Sequence, residues 1–155
     1  MIVPFALAIA IAAGISDAAT PRVRYFLGSW HCAAVPWTYT PLDDGDAWVR
    51  VTYGAPAHPD GTAVMGYVAG LQRFIYRDFH ADGAYADLTS PATSDRTFVW
   101  SGPYWPAGAT TPAQGRITYT LVDERRFDRA FATQLADGSL KPMGGDTCTR
   151  DAPSR

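Results

Sequence analysis

Two cysteines, Cys32 and Cys148, stand far apart in a chain of 155 residues, and no other feature limits the possible folds as much. Joined, they make the early and late segments of the chain neighbours. The chain-entropy argument gives a cross-link over so long a loop about 4–5 kcal/mol, an upper figure that native strain lowers. Small chains in oxidising compartments usually pair such cysteines. The alternative is two buried free thiols. Neither cysteine has another two to four residues away, so the spacing does not fit zinc, and no metal is expected.

The N-terminal segment bears on the compartment. Ile2 to Ala13 is an apolar, Ala-rich run. It has the length of a signal-peptide core and falls short of the roughly 20 apolar residues a membrane helix needs. Ser16-Asp17-Ala18 places small residues at the −3 and −1 positions of a cut after Ala18. The expectation is a cleaved signal peptide over residues 1–18 and a secreted or periplasmic domain over 19–155. No Lys or Arg precedes the apolar run, and the alternative is a buried N-terminal helix in a cytosolic protein. No second apolar stretch of spanning length follows, so the mature form should have no transmembrane span.

The formal charge of −2 argues against nucleic acid as a partner. No basic amphipathic helix is visible for a membrane surface. Five Trp, eight Tyr and seven Phe, with many Thr, Val, Gly and Pro, favour strands and tight turns. Strands are expected at Ser29–Val35, Ala47–Tyr53, Ala63–Val68, Gln72–Phe79, Ala84–Thr89, Thr97–Ser101, Arg116–Leu121, Arg126–Gln134 and Thr147–Arg150. Turn signals separate them, among them Asp43-Asp44-Gly45, Pro59-Asp60-Gly61, Ala69-Gly70, Asp82-Gly83, Ser90-Pro91, Asp123-Glu124-Arg125 and Asp137-Gly138. About nine strands at this spacing, without an amphipathic helix between them, mean an all-β sandwich or barrel. Arg22 to Leu27 predicts a single helical turn or a plug. Tyr104–Gly115, rich in Pro and Gly, predicts a loop at the mouth.

Phe26-Leu27-Gly28-Ser29-Trp30-His31-Cys32 opens the first strand with Gly-x-Trp. The stretch Arg73-Phe74-Ile75-Tyr76-Arg77-Asp78 through Leu88-Thr89-Ser90-Pro91 to Phe98-Val99-Trp100-Ser101-Gly102, and the ending Gly145-Asp146-Thr147-Cys148-Thr149-Arg150, complete the pattern. Over residues 24–150 the chain resembles a bacterial family of small secreted lipocalin-like, calycin-type barrels of undefined function. The resemblance implies an antiparallel up-and-down barrel of nine to ten strands, with an interior cavity and no catalysis. It also implies that Trp30, two residues after Gly28, closes the floor, with Arg150 from the last strand lying across its ring. Such cation–π packing is worth about 0.5–2 kcal/mol. A cystine would then pin the first strand to the last. Unlike true lipocalins, the chain shows no C-terminal helix between its last strands.

Residues for chemistry are sparse. Asp78, His80 and Asp82 would share one face of a strand, as an acid–base or metal cluster requires. Asp82-Gly83 already reads as a turn, so the three are expected to diverge at a solvated hairpin tip. Asp43-Asp44-Gly45-Asp46 lacks the twelfth-position Glu of a calcium loop, a place held by Gly54. His31 falls on the face opposite Trp30 and Cys32, and His58 in a Pro-rich loop. There is no Gly-x-Ser-x-Gly elbow.

With no catalytic motif and no cofactor signature, the expected function is binding of a small apolar or amphipathic molecule inside the barrel. Its walls would come from Trp48, Tyr67, Phe74, Tyr76, Tyr85, Trp100, Tyr119, Arg129 and Phe131, although aromatic residues are more often core than pocket. The alternative is an envelope structural or interaction protein with a filled barrel, contacting partners through exposed Trp37, Tyr39, Tyr104 and Trp105. An enzyme is a third reading, which His80 or His31 inside a cavity beside a carboxylate would favour.

Overall fold

The computed structural model describes residues 20–42, 44, 47–92, 94 and 96–152. The leader expected at 1–18 and most of the acidic stretch Asp43–Asp46 lie outside these residues. A short helix, α1 (Thr20–Arg24), leads into ten strands. These are β1 (Gly28–Cys32), β2 (Val35–Pro41), β3 (Trp48–Ala55), β4 (His58–Val68), β5 (Arg73–His80), β6 (Tyr85–Pro91), β7 (Thr97–Trp105), β8 (Ala113–Asp123), β9 (Arg126–Gln134) and β10 (Leu140–Arg150). Each pairs antiparallel with its neighbours in sequence, and β10 returns to β1, giving a closed up-and-down barrel.

Period-two alternation positions the side chains. Val49, Val51 and Tyr53 of β3 are buried, and so are Phe74, Tyr76 and Asp78 of β5. Phe98 and Trp100 of β7 follow the same rule. These residues form the inner wall.

One end is sealed. Val23 of α1 and Phe26 just beyond it are fully buried. The Phe26 ring meets Tyr39, Phe98, Tyr119 and Phe127 within 6 Å between centroids. The segment Arg22–Leu27 is therefore both a helical turn and a plug. The Trp30 indole donates to the Phe26 carbonyl at 2.6 Å. The Arg150 guanidinium lies 4.4 Å from the Trp30 ring centre and donates to the carbonyls of Leu27 and Tyr25. Gly28 has φ of 113°, where a side chain is strained, and Arg150 Nη1 sits within contact range of the missing β-carbon.

Cys32 and Cys148 face each other in the β1–β10 register and form a disulfide. This seam has an uneven length. β1 pairs with β10 only from Cys148 to Arg150, whereas β9 pairs with β10 from Leu140 to Thr149. One further bond, from the Ala33 amide to the Thr147 carbonyl, extends the seam. Among the described residues, Leu140–Asp146 has a sheet neighbour on one side only.

Several expected boundaries shift. The segment Ser29–Val35 contains the β1–β2 turn, and Trp37 and Tyr39 then point inward as buried residues of β2, not outward as contact residues. Pro59-Asp60-Gly61 lies within β4 beside a bulge, because β3 and β4 turn earlier, between Ala55 and His58. β7 and β8 run further than expected and shorten the mouth loop to 106–112.

Candidate functional site

At the end away from the plug the barrel holds a cavity of about 340 Å³. That volume lies within the usual range for small-molecule pockets. Trp37, Tyr53, Leu88, Tyr104, Ile117 and Phe131 supply its apolar wall, and Met143 stands at the rim, 61% exposed. Ala86 and Gly115 leave space where larger residues would fill it.

Polar groups cluster on the β5 side. Asp78 is 7% exposed and lines the cavity. The Tyr53 hydroxyl donates to Asp78 Oδ1 at 2.8 Å. Asp78 Oδ2 has two longer contacts, to the Tyr76 hydroxyl at 3.5 Å and to His80 Nε2 at 3.3 Å. The hydrogen bond to Asp78 raises the His80 pKa, with burial opposing. Burial, then the nearby Asp78 charge, pushes the Tyr53 hydroxyl far upward, so it remains a donor. Burial first, then the neighbouring Tyr119 and Asp78, does the same to Tyr76.

Tyr53 and Asp78 belong to strands separated by β4. Gly61 of β4, paired with Tyr53 on one side and His80 on the other, permits the reach across. A β-carbon there would collide with the Tyr53 ring.

A second charged pair sits on the opposite wall. Arg129 donates from Nε and Nη2 to the two oxygens of Asp146 at 2.7 and 2.6 Å. Burial disfavours the guanidinium charge, but the Asp146 hydrogen bonds and nearby phenols outweigh it, and the Arg129 pKa rises. Arg129 also caps a stack. It lies 4.3 Å from the Trp37 ring centre, Trp37 stacks on Tyr53 at 4.3 Å, and Tyr53 meets the His80 ring edge-on at 5.6 Å. One column of rings thus links the two charged groups.

The expected wall residues divide into three sets. Tyr76, Tyr119, Arg129 and Phe131 line the cavity. Tyr67, Phe74 and Trp100 belong to the packed half, where Phe74 and Trp100 are fully buried among rings. Trp48 and Tyr85 require correction, because the pleat turns both to the outer face. Trp48 lies over Gly66, and Tyr85 packs at a tilt between Phe79 and Trp105 at 5.2 and 5.6 Å.

Asp78 and His80 were also placed differently from expectation. β5 extends through His80, so both share the inner face as strand periodicity requires. Asp82 alone belongs to the turn, where it accepts from the Ala84 amide. His31 points outward and pairs with Asp151 at 2.6 Å. Among the described residues no three His, Cys, Asp or Glu side chains converge as metal ligands.

Among the described residues, buried donors without a hydrogen-bond partner include the Trp37 and Trp100 indole nitrogens, the Tyr39 hydroxyl and Arg150 Nε. A second depression, lined by Tyr25, Ser29, Arg125 and Arg150, is a broad groove outside the plugged end. It is larger than the interior cavity but lacks its enclosure and its buried charge, so the interior cavity is the stronger candidate. Among the described residues no helix is long and apolar enough to cross a membrane. Compared with protein-family models and with curated proteins, the chain matches none.

Proposed function

We propose that the protein binds a small amphipathic molecule in the open half of its barrel. The cavity carries this reading: a space of about 340 Å³ with aromatic walls and one buried carboxylate paired with a half-buried imidazole. The apolar body of the ligand would lie against Trp37, Phe131 and Ile117, and its polar end against Asp78 and His80. The plug and the cystine hold this space open by fixing the opposite end. A secreted or periplasmic location is supported by the apolar leader and the Cys32–Cys148 bond. The calycin-type likeness is supported by ten-strand closure and by the Trp30–Arg150 contact.

The test is saturable binding of a neutral apolar dye, N-phenyl-1-naphthylamine, to the purified domain, with native mass spectrometry for co-purified molecules. Ala86→Trp, which fills the cavity, should abolish dye binding. Absence of dye binding and of any co-purified molecule would return the protein to the alternative of an envelope surface component.

The His80–Asp78 pair favours a second reading, in which the imidazole, oriented by the carboxylate, moves a proton on a bound substrate. Turnover lost in His80→Gln while dye affinity is unchanged would distinguish it from binding alone.

A further inference from the structure

We propose that the cavity selects an apolar molecule bearing one protonated amine, with Asp78 as its counter-ion. The inference rests on the reading of the cavity as a ligand site and adds the chemical class of the head group.

The charge inventory of the wall points that way. Arg129 already holds both oxygens of Asp146, which leaves a ligand carboxylate little to gain from that guanidinium. Asp78 is buried as deeply, yet among the described residues no Arg or Lys forms an ion pair with it. Its partners are two phenols and one imidazole. Arg116 also borders the cavity but is only half-buried and alternates with the inward Ile117, so Asp78, a buried carboxylate without a fixed cation, is the unmatched buried charge of the wall.

Acceptor capacity agrees. An ionised carboxylate offers about four lone-pair sites. The tight bond from Tyr53 is made to Oδ1, and both contacts to Oδ2 are long, at 3.3 and 3.5 Å. An ammonium can make a short contact of its own at Oδ2 without displacing Tyr53 from Oδ1. The adjacent rings of Tyr53 and Tyr76 add the attraction of an aromatic face for a cation.

His80 would act as a rival. The groups that face it are Asp78 on its own strand, Tyr53 from β3 and Asp82 in the following turn. Protonated, it supplies the missing positive charge itself and competes with the amine. Affinity for an amine should therefore rise as pH rises through the His80 titration.

The experiment measures affinities of n-octylamine, n-octanol and n-octanoate by calorimetry on the wild type, on Asp78→Asn and on Ala86→Trp. The expected result is an amine bound about ten-fold or more tightly than the alcohol, with octanoate weakest. Asp78→Asn should erase the amine preference, lowering amine affinity by about ten-fold or more relative to octanol. Should that variant fail to fold, the wild type decides: amine affinity must increase with pH across the His80 titration while octanol affinity stays flat. Equal binding of amine and alcohol, or preference for octanoate, overturns the head-group assignment alone. Failure of all three to bind, with Ala86→Trp indistinguishable from wild type, overturns the cavity reading and the assignment with it.

Discussion

The ring of Tyr53 lies in the space that a side chain on Gly61 would occupy, and only that vacancy lets its hydroxyl reach Asp78 across an intervening strand. The glycine therefore serves the polar end of the cavity as well as the backbone. Gly61→Ala should push the phenol away, break its bond to Asp78 and destabilise the protein by about 1–3 kcal/mol. Urea unfolding measures this. Gly70→Ala, whose β-carbon meets nothing within 4 Å, is the matched control, expected within about 0.5 kcal/mol of wild type.

His80 should titrate above its ordinary value of 6.5, because Asp78 accepts a hydrogen bond from it. A histidine with a raised folded pKa adds stability that is fully present below the unfolded value and lost as pH rises through the folded one. NMR of the imidazole protons gives the pKa directly. Asp78→Asn should bring it back down, and the stability difference between acid and neutral pH should shrink accordingly.

Tyr39→Phe should stabilise the protein. The hydroxyl is buried without a partner, and removing it leaves the ring contacts with Phe26 and Trp37 in place. A gain of about 1 kcal/mol is expected, equivalent to about 2–4 °C in melting temperature for a chain of this size. Differential scanning calorimetry measures it. A lower melting temperature would show that the hydroxyl is satisfied in solution.

Asp146→Ala should strand the buried Arg129 charge and cost about 3–5 kcal/mol. Replacing both partners, Arg129→Met with Asp146→Leu, should recover most of that loss, since a buried ion pair is often no better than an apolar pair of similar volume. A double-mutant cycle in chemical denaturation separates the two outcomes.

Much of the barrel could be read from alternation and punctuation. Ile117, Tyr119 and Leu121 mark an inner face in β8, and Asp82-Gly83 and Asp137-Gly138 lie at hairpin turns. β2 was missed for a local reason. Its turn from β1 uses Ala33 at φ 54°, a left-handed conformation that no Gly or Asn announces. That omission hid Trp37 and Tyr39, two aromatic residues of the lumen, in an expected loop.

Within the cavity, Tyr76, Tyr119, Arg129 and Phe131 were legible because each lies on a clearly alternating strand. Trp48 and Tyr85 misled because an aromatic residue at a strand start carries no sign of which face it takes. Alternation along β3 puts Trp48 outside, where Gly66 opposite offers it a flat seat. The Asp78–His80 pairing was visible in the spacing, but the nearby Asp-Gly turn outweighed it. The decisive quantity was one residue of strand length, which local sequence does not specify.

Among the described residues β10 stands alone on one flank from Leu140 to Asp146, and the sulfur bridge fastens it to β1 immediately below. A slit that ends at a covalent rivet can gape without tearing further. The rivet thus stops any opening of that flank short of the aromatic plug. Freedom and firmness fall to opposite ends of one wall.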